Sequence, residues 1–281
     1  RRASTCAALL AVFMVVERLS TEPMLDLSLL RVPTFGGGLV AAWAHSASAF
    51  AIITYLVIYM ENSLGLSAVA TGVRFLPLTG AIFVTAGIAG RLTNHVPRKA
   101  LIATGFVLNG TGLLLMRGLT AGSSWTHLLA GMIIGGVGAG LVSTPLVSTA
   151  VGVVQPARAG MASGINTTLR QVGIATGVAA LGTILASQER GSIVDHLRGT
   201  ALAPHAHALA HAISTGGAQD AIAGAPAPLR GLVADTARAS LVHGLNTIML
   251  ISAITSFVAA AVSFVLIRER DFVAVDEEAE G

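Results

Sequence analysis

Long uninterrupted runs of apolar residues, separated by short charged segments, follow one another along most of this chain. Most of these runs contain about twenty residues or more, which is the length that a helix needs to cross about 30 Å of hydrocarbon. They lack the strict alternation over about ten residues that is typical of strands in a membrane barrel. The pattern therefore predicts membrane-spanning helices at residues 35–59, 68–90, 100–116, 128–151, 160–187 and 241–267.

The start of the chain is predicted to hold part of a seventh span. Its apolar run leads directly into Glu17 and Arg18 without a signal-peptide cleavage site. Since the chain does not begin with Met, we expect it to be a fragment of a longer protein. In order, the predicted domains are a partial span at 1–17, a cytoplasmic interfacial segment at 18–34, five spans within 35–187, an extracytoplasmic loop at 188–240, a last span at 241–267 and a cytoplasmic tail at 268–281.

Composition excludes a soluble globular domain. Hydrophobic residues make up 53% of the chain and charged residues only 11%, whereas a soluble domain would be about one quarter charged. The mean hydropathy is +0.76. The single cysteine, Cys6, cannot form an intrachain disulfide. Membrane lipid is therefore the predicted surroundings of most of the chain.

The placement of arginine predicts the orientation, because short cytoplasmic loops are enriched in Arg and Lys. One side of the predicted bundle offers little beyond Arg117. The other side holds Arg18, Arg31, Arg91, Arg98, Lys99, Arg158, Arg268 and Arg270. That side, with the C-terminus, is predicted to be cytoplasmic in a multi-pass protein of the cell membrane.

Glycines spaced four residues apart predict close helix packing, because small residues let helix backbones approach one another in lipid. Glycine-rich helices can also slide or bend, as a transport cycle requires. The pairs are Gly131 and Gly135, Gly136 and Gly140, Gly160 and Gly164, and Gly173 and Gly177.

Three passages carry a family resemblance: PMLDLSLLRVPTF, GRLTNHVPRKALIATG and, most specifically, GMASGINTTLRQVGIATGVAALGTIL. Together they resemble the C-terminal half of the fourteen-helix drug:proton antiporters of the major facilitator superfamily. The resemblance covers essentially the whole chain, from the end of the family's eighth helix through its fourteenth.

The resemblance implies an all-α membrane fold of about seven transmembrane helices, six of which form one domain of two inverted three-helix repeats. It implies proton-coupled efflux of multiple drugs or of an antibiotic. The expected partners are protons, a small amphipathic substrate and a missing N-terminal half, without which the chain is expected to be inactive. No cofactor, metal, nucleic acid or enzymatic activity is expected.

The second passage is similar to the superfamily's loop motif, which reads approximately G-x-L-a-D-r-x-G-r-k. Gly90, Arg98 and Lys99 match this motif, while Asn94 replaces its acid and Pro97 its second glycine. A neutral amide would weaken the charge-assisted contact that the acid makes in the family. Two interpretations stay open, a degraded gating motif and a plain basic turn.

Arg170 is the clearest polar residue at membrane depth, where charge is costly and usually faces a cavity or a partner. It lies about 15 Å from the cytoplasmic end of its span, by the rise of 1.5 Å per residue. Ser163, Asn166 and Thr167 share one helical stripe with it, which the resemblance places on a cavity-facing helix. A structural pairing of Arg170 is the alternative.

His45 and Thr144 are further candidates for the substrate cavity. The titration range of His45 would suit a proton relay, although a hydrogen-bonded interior histidine is the alternative. Thr144 lies beside Pro145 and is open to a second interpretation, in which it satisfies a carbonyl freed by a kink. No Asp or Glu lies inside a predicted span, the nearest being Glu61. Proton coupling would therefore use either His45 or a carboxylate of the missing half.

Two other classes of membrane protein compete with a transporter. A retinal protein needs an intramembrane lysine, and the single lysine, Lys99, is in a loop. A serine protease dyad of Ser163 and His243 would span more than about 20 Å by helix rise. Another seven-helix protein, such as a receptor or an accessory subunit, remains the alternative on helix count.

Overall fold

The computed structural model describes residues 32–93, 95–155 and 158–272 of the chain. The predicted partial span at 1–17 and Asn94 therefore lie outside the described residues. Within these three ranges the regular structure is entirely helical. The predicted all-α fold class is confirmed.

Nine helices make up the described fold. Five of them are long and apolar enough to cross a membrane, and the helices Ala68–Arg74 and Leu76–Leu92 together form a sixth candidate span, bent by 41°. Short 3₁₀ turns lie at Ala203–His205, Ala227–Leu229 and Glu269–Asp271. The helices are α1 (Pro33–Ser63), α2 (Ala68–Arg74), α3 (Leu76–Leu92), α4 (Arg98–Met116), α5 (Thr126–Gly152), α6 (Ala159–Leu197), α7 (Ala206–Ala212), α8 (Ala218–Gly224) and α9 (Arg230–Leu266).

Local sequence explains several of the helix ends. Pro33 stands in the first turn of α1, where its missing N–H costs nothing. Ser67 caps α2 by accepting a hydrogen bond from the Ala70 amide at 3.3 Å. Pro77 cannot donate to the carbonyl four residues earlier, so the regular helix is interrupted there and α2 meets α3 at an angle.

Helix α1 occupies the middle of the bundle and packs against α5, α6 and α9. Helix α4 lies between α5 and α9, while α3 packs against α5 at one edge. The main apolar core forms where these helices meet and includes Tyr59, Met60, Leu113, Leu128 and Leu245. Helices α3 and α6 therefore stand at the two edges of the domain.

Close glycine packing is confirmed for three of the four predicted pairs. A Cβ added at Gly136 would lie 2.7 Å from the Leu78 carbonyl oxygen, and the other members of these pairs also face a neighbouring helix. The pair of Gly160 and Gly164 was predicted wrongly, because a Cβ added at either position would have nothing within 4 Å. These two glycines lie on the uncovered side of α6.

The segment between the last two spans folds as a cap. With 39 and 37 residues, α6 and α9 are about 58 and 55 Å long, so both project beyond a hydrocarbon core of about 30 Å. Their projecting ends and the short helices α7 and α8 share a separate apolar cluster. Its members include Ile193, Leu197, Ala206, Ile213 and Val233.

Candidate functional site

The polar stripe of α6 extends from its buried edge onto its uncovered face. Successive helical residues are about 100° apart, which orders the stripe as Asn166, Arg170, Ser163 and Thr167. Asn166 is only 4% exposed, Arg170 is half-buried, and Ser163 and Thr167 are exposed. Only Asn166 and Arg170 therefore reach the other helices of the domain.

Arg170 stands at the border between the packed and the uncovered side of α6. Its guanidinium carbon lies 5.9 Å from the ring centroid of Phe50 in α1, a cation–π contact. No carboxylate pairs with it in the part of the chain that the structure describes. Along an 18-residue apolar stretch of α6, only 22% of the residues are buried within this domain. The guanidinium therefore lies beside a surface that this domain leaves bare.

His45 is enclosed next to this contact. Its side chain is 1% exposed and lies edge-on to Phe50 at 5.6 Å and to Phe106 at 6.1 Å between ring centroids. Neither ring nitrogen has a hydrogen-bond partner among the described residues. The hydrogen-bonded interior histidine that the sequence left open is therefore not observed.

A π-helical segment, Ser46–Phe50, follows His45 directly. It packs closely on α6, since a Cβ at Gly173 would lie 2.9 Å from the Ser46 Cβ and one at Gly177 would lie 2.7 Å from the Ala47 Cα. Such segments occur often at functional sites. Sequence reasoning missed this one, because five residues of π geometry leave no hydrophobic period of their own.

Thr144 does not face open space. Its hydroxyl donates to the Ala86 carbonyl in α3 at 3.2 Å, so it links two helices. The hydroxyls of Ser148 and Thr149 donate to the Pro145 carbonyl at 3.0 and 2.7 Å. The hydroxyl-bearing residues around this proline thus satisfy backbone carbonyls.

Two basic residues of the loop motif contact aromatic rings near the C-terminus. Arg98 places its guanidinium carbon 4.0 Å from the ring centroid of Phe272. Lys99 places its ammonium nitrogen 5.4 Å from that of Phe264. Gly90 is exposed near the end of α3. These contacts fasten the start of α4 to the last turns of α9 and to the segment that follows it.

Glu189 is a buried residue that sequence reasoning passed over as part of a loop. It lies on α6 beyond the predicted span and is only 7% exposed. A spacing signal was available, because every fourth residue of α6 from Gly173 onward is buried. The series runs Gly173, Gly177, Leu181, Leu185, Glu189, Ile193 and Leu197.

Comparisons with known proteins agree with this architecture. Multidrug resistance protein Stp of Mycobacterium tuberculosis is 28% identical over 193 residues, covering 69% of this chain and 36% of Stp. Cephamycin export protein CmcT of Amycolatopsis lactamdurans is 34% identical over 187 residues, covering 66% and 38%. Multidrug efflux pump LfrA of Mycolicibacterium smegmatis is 30% identical over 260 residues, covering 92% and 50%.

A solved structure shows the same fold. The crystal structure of a bacterial homolog of the human lysosomal transporter Spinster, inward-facing and occupied, superposes with a TM-score of 0.66 at 14% identity. The superposition covers 86% of this chain and 51% of that one. The chain also spans half or less of the length of the three relatives above.

The family follows from the extent of the match. Residues 7–187, well over half of the chain, match the family model of the Major Facilitator Superfamily. The long apolar helices of the described ranges agree with it. This chain is a multi-pass membrane protein and belongs to the Major Facilitator Superfamily.

Proposed function

We propose that this chain is the C-terminal half of a proton-coupled efflux transporter for amphipathic drugs or antibiotics. Its relatives are named for multidrug resistance and for antibiotic export, and the match to this chain covers half or less of the length of each relative. An N-terminal half of similar size completes the transporter in this proposal. The names of these relatives do not favour the alternative of a receptor or accessory subunit.

The charge of Arg170, which has no carboxylate partner among the described residues, carries the proposal. A guanidinium cannot lose its proton to escape burial, and placing it at the bilayer centre costs about 2.5–3.5 kcal/mol on translocon scales. Since no carboxylate of the described ranges pairs with it, the compensation beyond the Phe50 contact comes from cavity water, from carbonyls and hydroxyls such as those of Asn166 and Thr167, or from an acid of the other half. The uncovered face of α6 then borders the central cavity, and Arg170 takes part in substrate movement or proton coupling.

Proton coupling in this proposal draws chiefly on the missing half. The six complete predicted spans, from residue 35 onward, contain no Asp or Glu, and intramembrane carboxylates are common members of proton relays in transporters. His45 is the second proton-handling group of the proposal. Because it is enclosed by Phe50 and Phe106, the adjoining π segment must move before its ring can exchange a proton.

Transport by reconstituted protein tests the proposal. Two proteins would be reconstituted in proteoliposomes with an acidic interior: the 281 residues alone, and a longer protein translated from the same reading frame extended upstream. Ethidium accumulation would be followed by fluorescence. We expect accumulation only from the longer protein, and its loss to background in Arg170→Leu. Arg117→Leu, at an exposed outer position, is the control. Transport by the 281 residues alone, or normal transport by Arg170→Leu, would contradict the proposal.

The proposed orientation places the C-terminus in the cytoplasm and the cap outside. The contacts of Arg98 and Lys99 with Phe272 and Phe264 gather basic residues at the end opposite the cap, which supports it. In a Cys6→Ser background, a cysteine at Gly216 should react with a membrane-impermeant thiol reagent in intact cells. A cysteine at Asn94 should resist. The reverse labelling pattern would overturn the orientation.

A further inference from the structure

A cavity of about 310 Å³ lies between the cap and the membrane bundle. Helices α1, α6 and α9 form its walls, and the turn between α7 and α8 closes it from above. Its polar lining consists of Tyr55, Asn62, Glu189, Ser214 and Thr215. The volume is at the lower end of the range of about 300–1,000 Å³ that small-molecule sites occupy.

Glu189 is the only charged group in this lining. The residue is 7% exposed, and no described residue forms a hydrogen bond or an ion pair with its carboxylate. The neighbouring Arg190 is exposed and directs its Nε to the Ser214 hydroxyl at 2.8 Å. An unpaired buried carboxylate is costly, and no positively charged side chain lines the cavity to offset that cost.

The hydroxyl groups that line the cavity with Glu189 already donate their hydrogen bonds to backbone carbonyls. Ser214 and Thr215 donate to the His211 carbonyl at 3.2 and 2.9 Å, and the Tyr55 hydroxyl donates to the Val178 carbonyl. What these hydroxyls still offer to a ligand is oxygen lone pairs. Apart from the Asn62 amide, the polar wall of the cavity is therefore a set of acceptors around one acid.

We propose that this cavity binds an organic ammonium ion, with Glu189 as its counter-ion. A primary ammonium group carries three N–H donors and one positive charge, which match the hydroxyl oxygens and the carboxylate. Ile58, Leu185, Ile213 and Leu241 line the same cavity and provide an apolar wall for the body of the ligand. The site lies at the cap end of the domain, far from Arg170, and does not depend on the chain's being able to transport.

Two sources can supply this chemistry, a free amine and the headgroup of phosphatidylethanolamine. Nanodiscs of phosphatidylglycerol alone contain no phosphatidylethanolamine, so the binding of an added amine to the 281-residue chain can be measured there by itself. The probe is 4-fluorophenethylamine, followed by its ¹⁹F line width, with 4-fluorophenethyl alcohol as the uncharged counterpart. We expect the amine to bind and the alcohol to bind about tenfold more weakly or worse, as the loss of a charged hydrogen bond implies.

Glu189→Gln should weaken amine binding by about tenfold or more for the same reason. Asp195→Asn, an exposed acid on the same helix, should leave it unchanged. Because Glu189→Gln could affect folding, Ala218→Leu provides a second test. It keeps the acid and fills the cavity from the half-buried first position of α8, and it should also abolish binding.

Competition identifies the source of the ligand. If nanodiscs with phosphatidylethanolamine lower the apparent affinity for the probe, the headgroup occupies the site, and if they do not, free amines are its ligands. Both results retain the proposal. Equal binding of amine and alcohol, equal effects of Glu189→Gln and Asp195→Asn, or full binding by Ala218→Leu would overturn it.

Discussion

The α4–α5 interface and the α1–α6 interface are both made by glycines, and both are equally close. A Cβ added at Gly112 in α4 would lie 2.6 Å from the Gly135 Cα in α5. A Cβ added at Gly177 in α6 would lie 2.7 Å from the Ala47 Cα in α1. Backbone spacing alone therefore does not distinguish the two interfaces.

Their buried polar groups do distinguish them. Asn109 of α4, which faces Gly135 of α5, donates to the Ser256 hydroxyl of α9 at 2.8 Å, and Thr149 of α5 donates to a carbonyl of its own helix. At the start of α4, the Arg98 Nε has no hydrogen-bond partner among the described residues, but its guanidinium lies over the Phe272 ring. In α1 and α6, both His45 ring nitrogens, the Ser46 hydroxyl and the Asn166 amide oxygen lack partners among the described residues. Each unsatisfied buried group costs about 1–3 kcal/mol. The α1–α6 interface is therefore the one whose rearrangement would cost the domain least.

Adding a methyl group to each interface should separate them most strongly. Gly112→Ala meets regular helical backbone on both sides, so we expect the unfolding free energy to fall by about 3 kcal/mol. Gly177→Ala meets the π segment, which can shift, and should cost about 1 kcal/mol. Reversible unfolding in SDS, with circular dichroism as the signal, measures both. Gly164→Ala, where a Cβ has open space, is the control, and equal costs at the two interfaces would remove the distinction.

Replacing one buried polar residue on each side should change stability in opposite directions. His45→Leu removes two unsatisfied nitrogens but also the edge contacts with Phe50 and Phe106, so we expect a gain of about 1 kcal/mol. Asn109→Leu breaks the bond to Ser256 and should cost about 1.7 kcal/mol, the upper value for interhelical hydrogen bonds in membranes, because both groups are buried.

The same SDS titrations report both changes. In the longer transporter, His45→Leu should also slow proton-driven accumulation of ethidium if the ring handles protons. A destabilised His45→Leu variant would show that the imidazole has a partner that stabilises the fold, and it would remove the basis for regarding the α1–α6 interface as the weaker one.

The fold class and the family were predictable because they depend on features that the chain carries locally. Apolar runs long enough to span a bilayer predict helices, and the passage starting at Gly160 is specific to the family. Helical spacing also placed Asn166 and Arg170 on one stripe. Which edge of that stripe is covered was not predictable, because it depends on where α1 lies.

The π segment and the environment of Glu189 were not predictable for related reasons. Ser46–Phe50 contains ordinary helix-compatible residues, and its geometry arises from packing against Gly173 and Gly177. Glu189 was treated as part of a loop because the hydrophobic run ends before it, although α6 continues to Leu197. Burial there comes from the cap, which sequence periodicity describes only weakly.

The smallest expected effect concerns a hydrogen bond that crosses the α1–α6 interface. The Trp43 indole N–H donates to the Thr176 hydroxyl at 3.0 Å, on the exposed side of the two helices. Thr176→Val should therefore cost about 0.6 kcal/mol, the average for such bonds in membranes. Thr168→Val on the same helix should cost nothing measurable, since its hydroxyl bonds only to the Gly164 carbonyl of α6. In a Trp125→Phe background, the emission of Trp43 should shift in Thr176→Val and stay unchanged in Thr168→Val. If Thr176→Val costs as much as Asn109→Leu, a polar contact holds the α1–α6 interface as firmly as Asn109 holds the region around α4. The difference between the α4–α5 and α1–α6 interfaces then rests on the π segment alone.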